Sequence, residues 1–297
     1  MEINAIETKC DSALNKLKRK IPYGWDLNIY RGCEHGCKYC FALYSHDYLN
    51  DNNYFGNVYV KTNIAEQLER ELKSKSWNRE VINIGGVTDS YQPLEAKYEL
   101  MPQILKLLIR YKTPAIISTK SNLILRDYNL IDELSRITYI NIAATITTVD
   151  ENIRTTIEPF GCETLKRFDV LKEFRKTNAS IGIHVMPIIP YLTDSRENLE
   201  EICSNAQQAN VHYMLPGTLY LRGKTKSYFL NFIRDAFPQY YEPLSTLYKR
   251  GGAGKEYKDK LYQTINSLRN KYSLQSSYTK PMKEKMHKSQ QTSLNLF

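Results

Sequence analysis

Residues 25–41 read WDLNIYRGCEHGCKYCF, a short apolar run followed at once by three cysteines. These are Cys33, Cys37 and Cys40, and the chain has six cysteines in total. Random placement would produce this spacing in roughly one of several hundred chains of this composition. The apolar run predicts a strand, so the cysteines are expected on a loop at its carboxyl end. In a chain without an export signal, close cysteines indicate metal binding or redox chemistry rather than disulfides.

Two kinds of metal site fit three cysteines on one short loop. A four-iron cluster is usually held by four thiolates, so three leave one iron open to another ligand. The alternative is a zinc ion whose fourth ligand is His35 or His46, since Cys3His sites are common. The spacing differs from the CxxC pairs of zinc fingers, and no second cysteine pair follows. The sequence therefore favours the iron–sulfur cluster.

Apolar runs alternate with amphipathic stretches from about residue 25 to residue 236. Six apolar runs predict strands, at residues 25–30, 81–84, 115–119, 139–146, 181–187 and 211–215. The amphipathic stretches predict helices, at residues 63–75, 98–112, 128–137, 164–177, 195–209 and 226–237. This alternation is typical of an α/β fold with a parallel sheet. Most of the strands have little polar alternation, which predicts burial on both faces.

Polar residues mark two of the predicted helix starts. Asn63 with Glu66 fits a capping box, and Asp194 with Glu197 offers a second polar cap before an apolar periodic run. Both spacings support helices that begin at these positions.

The pattern divides the chain into four segments. Residues 1–24 are an N-terminal extension and residues 25–237 the strand–helix domain. Residues 238–275 form an appended, mainly helical element, and residues 276–297 a basic tail that we expect to be flexible. Residues 249–297 hold eleven basic and three acidic side chains, so the net charge of +9 is concentrated there. Such a surface is either simply solvated or a footprint for phosphates.

Composition and length exclude several protein classes. The chain has 297 residues, of which 42% are hydrophobic and 25% charged, as in globular proteins rather than disordered or fibrous ones. No window approaches 18 uncharged apolar residues, and the first residues do not resemble a secretory signal. The sequence therefore predicts a cytoplasmic protein with no membrane partner.

Six stretches occur in the order of a known family. They are NIYRGCEHGCKYCF, GGVTDSYQPLE, ISTKSNLILRD, ATITTVDE, IEPFG and VMPIIP. This set resembles the radical S-adenosylmethionine (radical SAM) superfamily, in its spore photoproduct lyase-like branch, often called predicted DNA repair photolyases. The resemblance covers roughly residues 22–260. It implies a partial (β/α)6 TIM-type barrel, which agrees with the six strands predicted from the pattern.

The resemblance also implies the cofactors and the reaction class. Cys33, Cys37 and Cys40 would hold a 4Fe-4S cluster whose open iron chelates S-adenosylmethionine. An electron from a donor such as flavodoxin or ferredoxin would cleave S-adenosylmethionine to a 5′-deoxyadenosyl radical that abstracts hydrogen from a substrate. The branch and the basic tail together favour a DNA lesion or another nucleic acid as substrate. A protein, a peptide or a small molecule is the alternative substrate, and a zinc-stabilised nucleic-acid-binding module is the alternative without catalysis.

Further site residues follow from the second and third stretches. Gly85 and Gly86 permit close backbone approach, and they match the motif that binds the methionine part of the cofactor. By resemblance Thr88 contacts the cofactor, with Asp89 beside it, and Lys120 contacts the cofactor carboxylate. The turn-and-cap alternative for Asp89 and the solvated alternative for Lys120 both remain open.

The remaining predicted contacts involve the adenosine part. By resemblance Thr145 meets the ribose or nearby groups, an aromatic at Tyr39 or Phe41 lies along the adenine, and the backbone of Met186 contacts the adenine.

Several residues depart from the family pattern or lack a role. Spore photoproduct lyases carry a cysteine hydrogen donor where this chain has Gly86, which puts thymine-dimer reversal in doubt. Cys162 and Cys203 are the remaining candidate thiols, with inert burial as the default for both. His35 is expected to face solvent, and Glu158 matches a family feature without a derived role.

Tyrosines are dense in the C-terminal element. Tyr240, Tyr241, Tyr248 and Tyr257 are candidates to line a substrate groove or to relay a radical. Of these, Tyr257 is the catalytic candidate.

Overall fold

Six parallel strands form the centre of the protein. The computed structural model describes residues 3–18 and 21–294. Its strands are β1 (Asn4–Thr8), β2 (Leu14–Lys16), β3 (Trp25–Leu27), β4 (Tyr30–Arg31), β5 (Asn57–Lys61), β6 (Ile82–Ile84), β7 (Ala115–Thr119), β8 (Ile140–Thr145), β9 (Ser180–Ile188) and β10 (Tyr213–Thr218). The large sheet has the order β10-β9-β8-β7-β6-β3-β2, in which only the β2–β3 pair is antiparallel.

The sheet is open, as predicted. In the part of the chain that the structure describes, β10 and β2 are its two edges and do not pair with each other. The fold is therefore the partial α/β barrel expected from the sequence. Every residue of β8 is buried, which agrees with the predicted burial of the strands on both faces.

Helices connect and cover the strands. The α-helices are α1 (Ile64–Leu72), α2 (Glu95–Tyr98), α3 (Leu100–Arg110), α4 (Tyr128–Ile137), α5 (Glu151–Ile157), α6 (Thr164–Phe174), α7 (Arg196–Gln208), α8 (Lys224–Ala236), α9 (Tyr241–Leu247), α10 (Lys255–Lys271) and α11 (Thr279–Leu294). Short 3₁₀ helices span Phe41–Leu49, Asn122–Asp127 and Pro238–Tyr240. None of the described helices is both long and apolar enough to cross a membrane.

The two predicted helix caps differ in the structure. Asn63 does not cap α1, because its side-chain oxygen accepts a hydrogen bond from the backbone of Cys10 at 2.9 Å. Helix α7 is capped by Ser195, whose hydroxyl oxygen accepts from the backbone of Asn198 at 3.1 Å. Asp194 precedes the cap position by one residue, and its carboxylate accepts hydrogen bonds from the backbone of Tyr191 and from the Tyr257 hydroxyl. In both places a tertiary contact or a neighbouring hydroxyl replaces the expected cap.

The first predicted strand is divided between two sheets. After β3 the chain leaves the large sheet, and β4 pairs antiparallel with β5 in a small sheet of order β1-β5-β4. Lys61 stabilises the crossing, because its side-chain Nζ donates to the carbonyl of Asn28 at 2.7 Å. Its backbone nitrogen donates to the carbonyl of Ile29 at 3.2 Å. This departure carries the cysteines away from the end of β3 and over the sheet.

The C-terminal tail differs from the expected flexible segment. Gln275 pairs with Tyr213 at the edge of the sheet, and α11 begins at Thr279. Tyr278 and Met282 are buried in a cluster at the amino ends of the strands. These two residues lie four apart, so they share one face of a helix, a signal that the polar composition of the tail concealed.

Candidate active site

A cavity of about 510 Å³ opens at the carboxyl ends of the parallel strands. All of the residues predicted to bind the cofactors line it: Cys33, Cys37, Tyr39, Cys40, Phe41, Gly85, Gly86, Thr88, Asp89, Lys120, Thr145 and Met186. Parallel strands end at the same edge of the sheet, so the loops after them converge although they are distant in sequence. The fold thereby brings the cysteine loop opposite the ends of β6 to β9.

The three cysteine side chains are free thiols. Cys33 and Cys37 are buried, and Cys40 is half-buried. Burial raises the pKa of the Cys37 thiol to about 12, and the nearby Lys120 ammonium opposes this rise. Metals bind the thiolate, so loading this site would release protons.

Three thiols on one loop suit three irons of an iron–sulfur cluster. Among the described residues, no three cysteine, histidine or carboxylate side chains surround one point, as a single metal ion requires. The thiolates of a four-iron cluster bind different irons, so they need not converge. His46 Nε2 lies 3.0 Å from the Asn57 carbonyl, and His35 Nδ1 lies 3.4 Å from an Asp89 oxygen.

His35 does not face solvent as expected. Its exposed fraction is 2%, because it lies inside the cavity wall against Asp89. Burial and the Lys120 ammonium lower the pKa of His35 despite the Asp89 carboxylate. The imidazole is therefore a neutral part of the wall.

Asp89 joins three segments of the site. Its Oδ1 accepts hydrogen bonds from the backbone of Tyr91 at 2.9 Å and from the Thr119 hydroxyl at 2.8 Å. Its Oδ2 accepts from the backbone of Lys120 at 2.8 Å and faces His35. The carboxylate thus links the cysteine loop to the end of β7. Both of its oxygens are occupied by protein groups, which favours a positioning role over direct contact with a ligand.

Lys120 presents its ammonium to the cavity. The Nζ lies 5.9 Å from the centre of the Tyr39 ring, and in the described structure no carboxylate lies within 4.0 Å of it. Burial lowers the pKa of Lys120, but Cys37, Glu158 and Asp89 raise it more, so the group stays protonated. A cation without an ion pair in a cavity wall suits an anionic group of a ligand.

Glu158 anchors the cysteine loop from behind. It is completely buried, and the Tyr39 hydroxyl donates a hydrogen bond to its Oε1. Arg167 of α6 forms an ion pair with Oε2 at 2.6 Å and donates to the carbonyl of Thr145 at 2.8 Å. This network connects Tyr39 to the end of β8. The sequence motif contained Glu158 but gave no sign that Arg167 is its partner.

Neighbouring protein groups occupy the positions that a Cβ would take on the two glycines after β6. Gly85 has a φ of +86°, and a Cβ there would lie 2.9 Å from the carbonyl of Thr88. A Cβ on Gly86 would lie 2.8 Å from a carboxylate oxygen of Asp26. The chain therefore has no room for a cysteine at position 86 unless Asp26 moves.

Residues 27–203 match the family model of the radical SAM superfamily. The chain belongs to the radical SAM superfamily. It is 34% identical over 274 residues to an uncharacterized protein of Mycobacterium tuberculosis, covering 90% of this chain and 81% of the relative. It is 30% identical over 266 residues to an uncharacterized protein of Methanocaldococcus jannaschii, covering 89% and 94%.

A solved structure of the superfamily has the same fold. Spore photoproduct lyase with bound AdoMet and a dinucleoside spore photoproduct superposes with a TM-score of 0.66 at 12% identity. The match covers 90% of this chain and 79% of the lyase. The family-model match confirms the resemblance to the radical SAM superfamily. At 12% identity, this match shows a shared fold and no shared function.

Two further side chains of this radical SAM protein line the cavity. Ser118 of β7 and His184 of β9 face each other, with Oγ and Nδ1 3.3 Å apart. The other ring nitrogen of His184 lies 3.4 Å from the Tyr213 hydroxyl. Sequence reasoning missed both: Ser118 stands beside Thr119 and Lys120 at the polar end of its run, and His184 is one polar residue inside an apolar run. A period of two from Met186 back along β9 places His184 on the same face, which is the signal that could have found it.

The candidate relay residues lie outside the cavity lining. The Tyr257 hydroxyl donates to Asp194 at 2.8 Å, and the Tyr240 ring stacks on Tyr191. Cys203 is buried in the core with its sulfur 3.6 Å from the sulfur of Met214. Tyr257, Cys203 and Cys162 are all absent from the lining.

Proposed function

We propose that this protein is a radical SAM enzyme that holds a 4Fe-4S cluster on Cys33, Cys37 and Cys40 and binds S-adenosylmethionine in the adjoining cavity. The observation that carries the proposal is the convergence of these three free thiols with Gly85, Gly86 and Lys120 on one cavity. When bound, the two cofactors supply a 5′-deoxyadenosyl radical that removes a hydrogen atom from a substrate carbon. The protein's contribution is binding, orientation and exclusion of water.

Each group of S-adenosylmethionine would be bound by residues of complementary chemistry. The Lys120 ammonium pairs with the carboxylate, and the backbone at Gly85 and Gly86 lies close to the amino group. Thr145 offers a hydroxyl to the ribose, and Tyr39 with Met186 bounds the adenine. Tyr39 is buried and tied to Glu158, so it enters the complex already oriented.

Anaerobic reconstitution with iron and sulfide, followed by dithionite and S-adenosylmethionine, tests this assignment. Dithionite replaces the natural electron donor, for which flavodoxin or ferredoxin is the proposed class. We expect about four irons per chain and release of 5′-deoxyadenosine. Cys37→Ala should lose both. A colourless protein that holds zinc and releases no 5′-deoxyadenosine would overturn the proposal in favour of the zinc-stabilised binding module.

Lys120→Met separates cofactor binding from cluster binding. The variant should keep its iron, but its affinity for S-adenosylhomocysteine should fall roughly 10- to 100-fold, because a charge-assisted hydrogen bond is lost. Lys106→Met is the matched control, since Lys106 is exposed on α3 and does not line the cavity. Equal affinities of the two variants would remove Lys120 from the site.

We propose a nucleic acid as the substrate, because aromatic and basic side chains lie near the mouth of the cavity. Phe41 and Tyr220 line the cavity and are each 60% exposed, as base-stacking rings require. Tyr220 pairs with Gly252, and Arg222 and Arg250 each lie two residues from this pair along the chain. Within the described residues neither arginine forms an ion pair, so both are available to phosphates.

Oligonucleotide binding at several salt concentrations tests the substrate class. We expect the double variant Arg222→Ala/Arg250→Ala to bind a single-stranded oligonucleotide more weakly, with a salt slope reduced by about 1.4 at 0.7 per phosphate contact. Arg79→Ala is the control, since Arg79 is exposed in the loop before β6, at the opposite end of the sheet. Unchanged slopes in the double variant would favour a protein, peptide or small-molecule substrate.

A further inference from the structure

Gln92 makes hydrogen bonds on both sides of Cys33. Its Oε1 accepts from the backbone nitrogen of Glu34 at 2.9 Å. Its Nε2 donates to the carbonyl of Gly32 at 3.4 Å and to the Thr88 hydroxyl oxygen at 3.1 Å. One side chain therefore binds the peptide groups that precede and follow the first cysteine of the loop.

The neighbours of Gln92 reinforce this attachment. The Thr88 hydroxyl donates to the same Gly32 carbonyl at 2.7 Å, and the Glu34 carboxylate accepts from the backbone of Leu94 at 2.5 Å. Gln92 has no exposed surface, so its amide depends on these partners. Gln92 is not among the residues that the sequence predicts to bind the cofactors, whereas Thr88 is.

The loop has little freedom to compensate at this point. Gly32 has a φ of +89°, and a Cβ there would lie 2.4 Å from the carbonyl of Asn57. The other two cysteines have different supports. The backbone of Lys38 donates to the carbonyl of Ile157 at 2.9 Å, beside Cys37, and Cys40 Sγ lies 3.8 Å from the Tyr54 hydroxyl.

We propose that Gln92 is a positioning residue that holds Cys33 in the orientation needed to bind the cluster, with Thr88 as its partner. The inference rests on the proposed function, because it assumes that Cys33 is a ligand. Groups that orient metal ligands typically change metal affinity 10- to 100-fold when they are removed. Gln92 would act in this way through two backbone groups rather than through the thiol itself.

The rate of iron release to a ferrous chelator tests this role in reconstituted, full-length protein. Gln92→Met keeps the length of the side chain but removes all three hydrogen bonds. We expect it to release iron roughly tenfold faster than the wild-type protein, or more. Gln103→Met is the matched control, because Gln103 is exposed on α3, where its amide bonds only to the carbonyl of Glu99.

Gln92→Glu refines the test. Its carboxylate can accept from Glu34 but cannot donate to Gly32 or Thr88, so iron release should be faster than in the wild type. The electron paramagnetic resonance spectrum of the reduced cluster should change in both Gln92 variants and not in Gln103→Met. Loss of stability in the apoprotein alone would not produce that change.

The outcomes separate this inference from the proposed function. If wild-type protein binds no iron–sulfur cluster, the proposed function fails first. If it binds the cluster but Gln92→Met matches Gln103→Met in iron release and spectrum, the positioning role is overturned. If Gln92→Met does not fold, Thr88→Val removes the 2.7 Å bond to Gly32 with little change of shape. Agreement of both Thr88→Val and Gln92→Glu with the control would overturn the inference equally.

Discussion

His184 is half-buried in the cavity lining and Glu158 is completely buried, and the first is neutral whereas the second is charged. His184 is neutral, because burial and the Lys120 ammonium lower its pKa to about 4. Burial raises the pKa of Glu158, but Arg167 and Lys120 lower it further, so the carboxylate stays charged. At the residue scale, the charges around the cavity are therefore set by neighbours that lie far apart in sequence.

The neutral His184 makes stability depend on pH. The pKa of His184 is lower in the folded protein than in the unfolded chain. As the pH falls, His184 therefore takes up a proton in the unfolded chain before it does so in the folded protein. The stabilisation is complete above about pH 6.5 and is lost towards pH 4, amounting to roughly 2 kcal/mol by pH 5. We expect urea unfolding of the apoprotein to show this fall between pH 7 and pH 5, with a smaller fall in His184→Gln. Equal falls would mean that His184 is not the responsible group.

Glu158→Gln should destabilise the apoprotein strongly. The change leaves Arg167 buried without its counter-charge, which costs roughly 3–5 kcal/mol in other buried pairs. Glu163→Gln is the control, because the Glu163–Lys166 pair is about half exposed on both sides and should contribute at most about 1 kcal/mol. Urea unfolding at neutral pH compares the two. A similar small effect of both changes would show that the buried pair is not an important support of the cysteine loop.

At the scale of elements, β9 and β10 fit together through one glycine. A Cβ on Gly182 would lie 2.1 Å from the Tyr213 ring, so the ring occupies the place of a side chain on β9. The Tyr213 hydroxyl accepts a hydrogen bond from Asn141 of β8 at 2.8 Å. The ring thereby ties three strands together beneath the cavity.

Gly182→Ala should lower the free energy of unfolding by roughly 1–3 kcal/mol, because the methyl group overpacks this contact. Gly252→Ala is the control, since its Cβ would meet no atom closer than 3.8 Å. Adding Tyr213→Ala should reduce the effect of Gly182→Ala, which a double-mutant cycle measures. Additive effects would contradict the assignment of the ring as the obstacle.

At the scale of the whole molecule, the two ends of the strands have different roles. The cavity lies at the carboxyl ends, and the tail packs at the amino ends, where Met282 contacts the cluster that contains Ile116 and Tyr139. Lys285 of the tail donates to the carbonyls of Ser135 and Asn178, which precede β8 and β9, so this cation is distant from the cavity mouth. The proposed substrate binding therefore rests on Arg222 and Arg250, whereas the tail packs at the amino ends of the strands.

Met282→Ala tests that assignment. Removal of a buried methionine should destabilise the apoprotein by roughly 2 kcal/mol or more. Lys283→Ala, at the exposed neighbouring position, should have almost no effect. Oligonucleotide affinity should change in neither variant. If Met282→Ala were as stable as Lys283→Ala, the tail would not unfold cooperatively with the rest of the protein.

Local patterns predicted the main elements well. The bounds of β7 and α4 coincide with those predicted, and β9 differs by one residue at each end. These segments have strong apolar periodicity and no competing tertiary contact. The division of residues 25–31 into β3 and β4 was missed, because it depends on pairing with β5, more than twenty residues away.

The sequence by itself determined the parallel sheet, the cysteine loop after the first strand and the superfamily, because periodicity, spacing and motif order are properties of the chain read in one dimension. Only the tertiary structure decided which polar groups meet: Asp89 with His35, Arg167 with Glu158, and Gln92 with the peptides around Cys33. The partners in each pair lie on different segments and are brought within hydrogen-bond or ion-pair distance by the packing of the strands and helices between them. The sequence pattern of one segment therefore cannot predict these contacts.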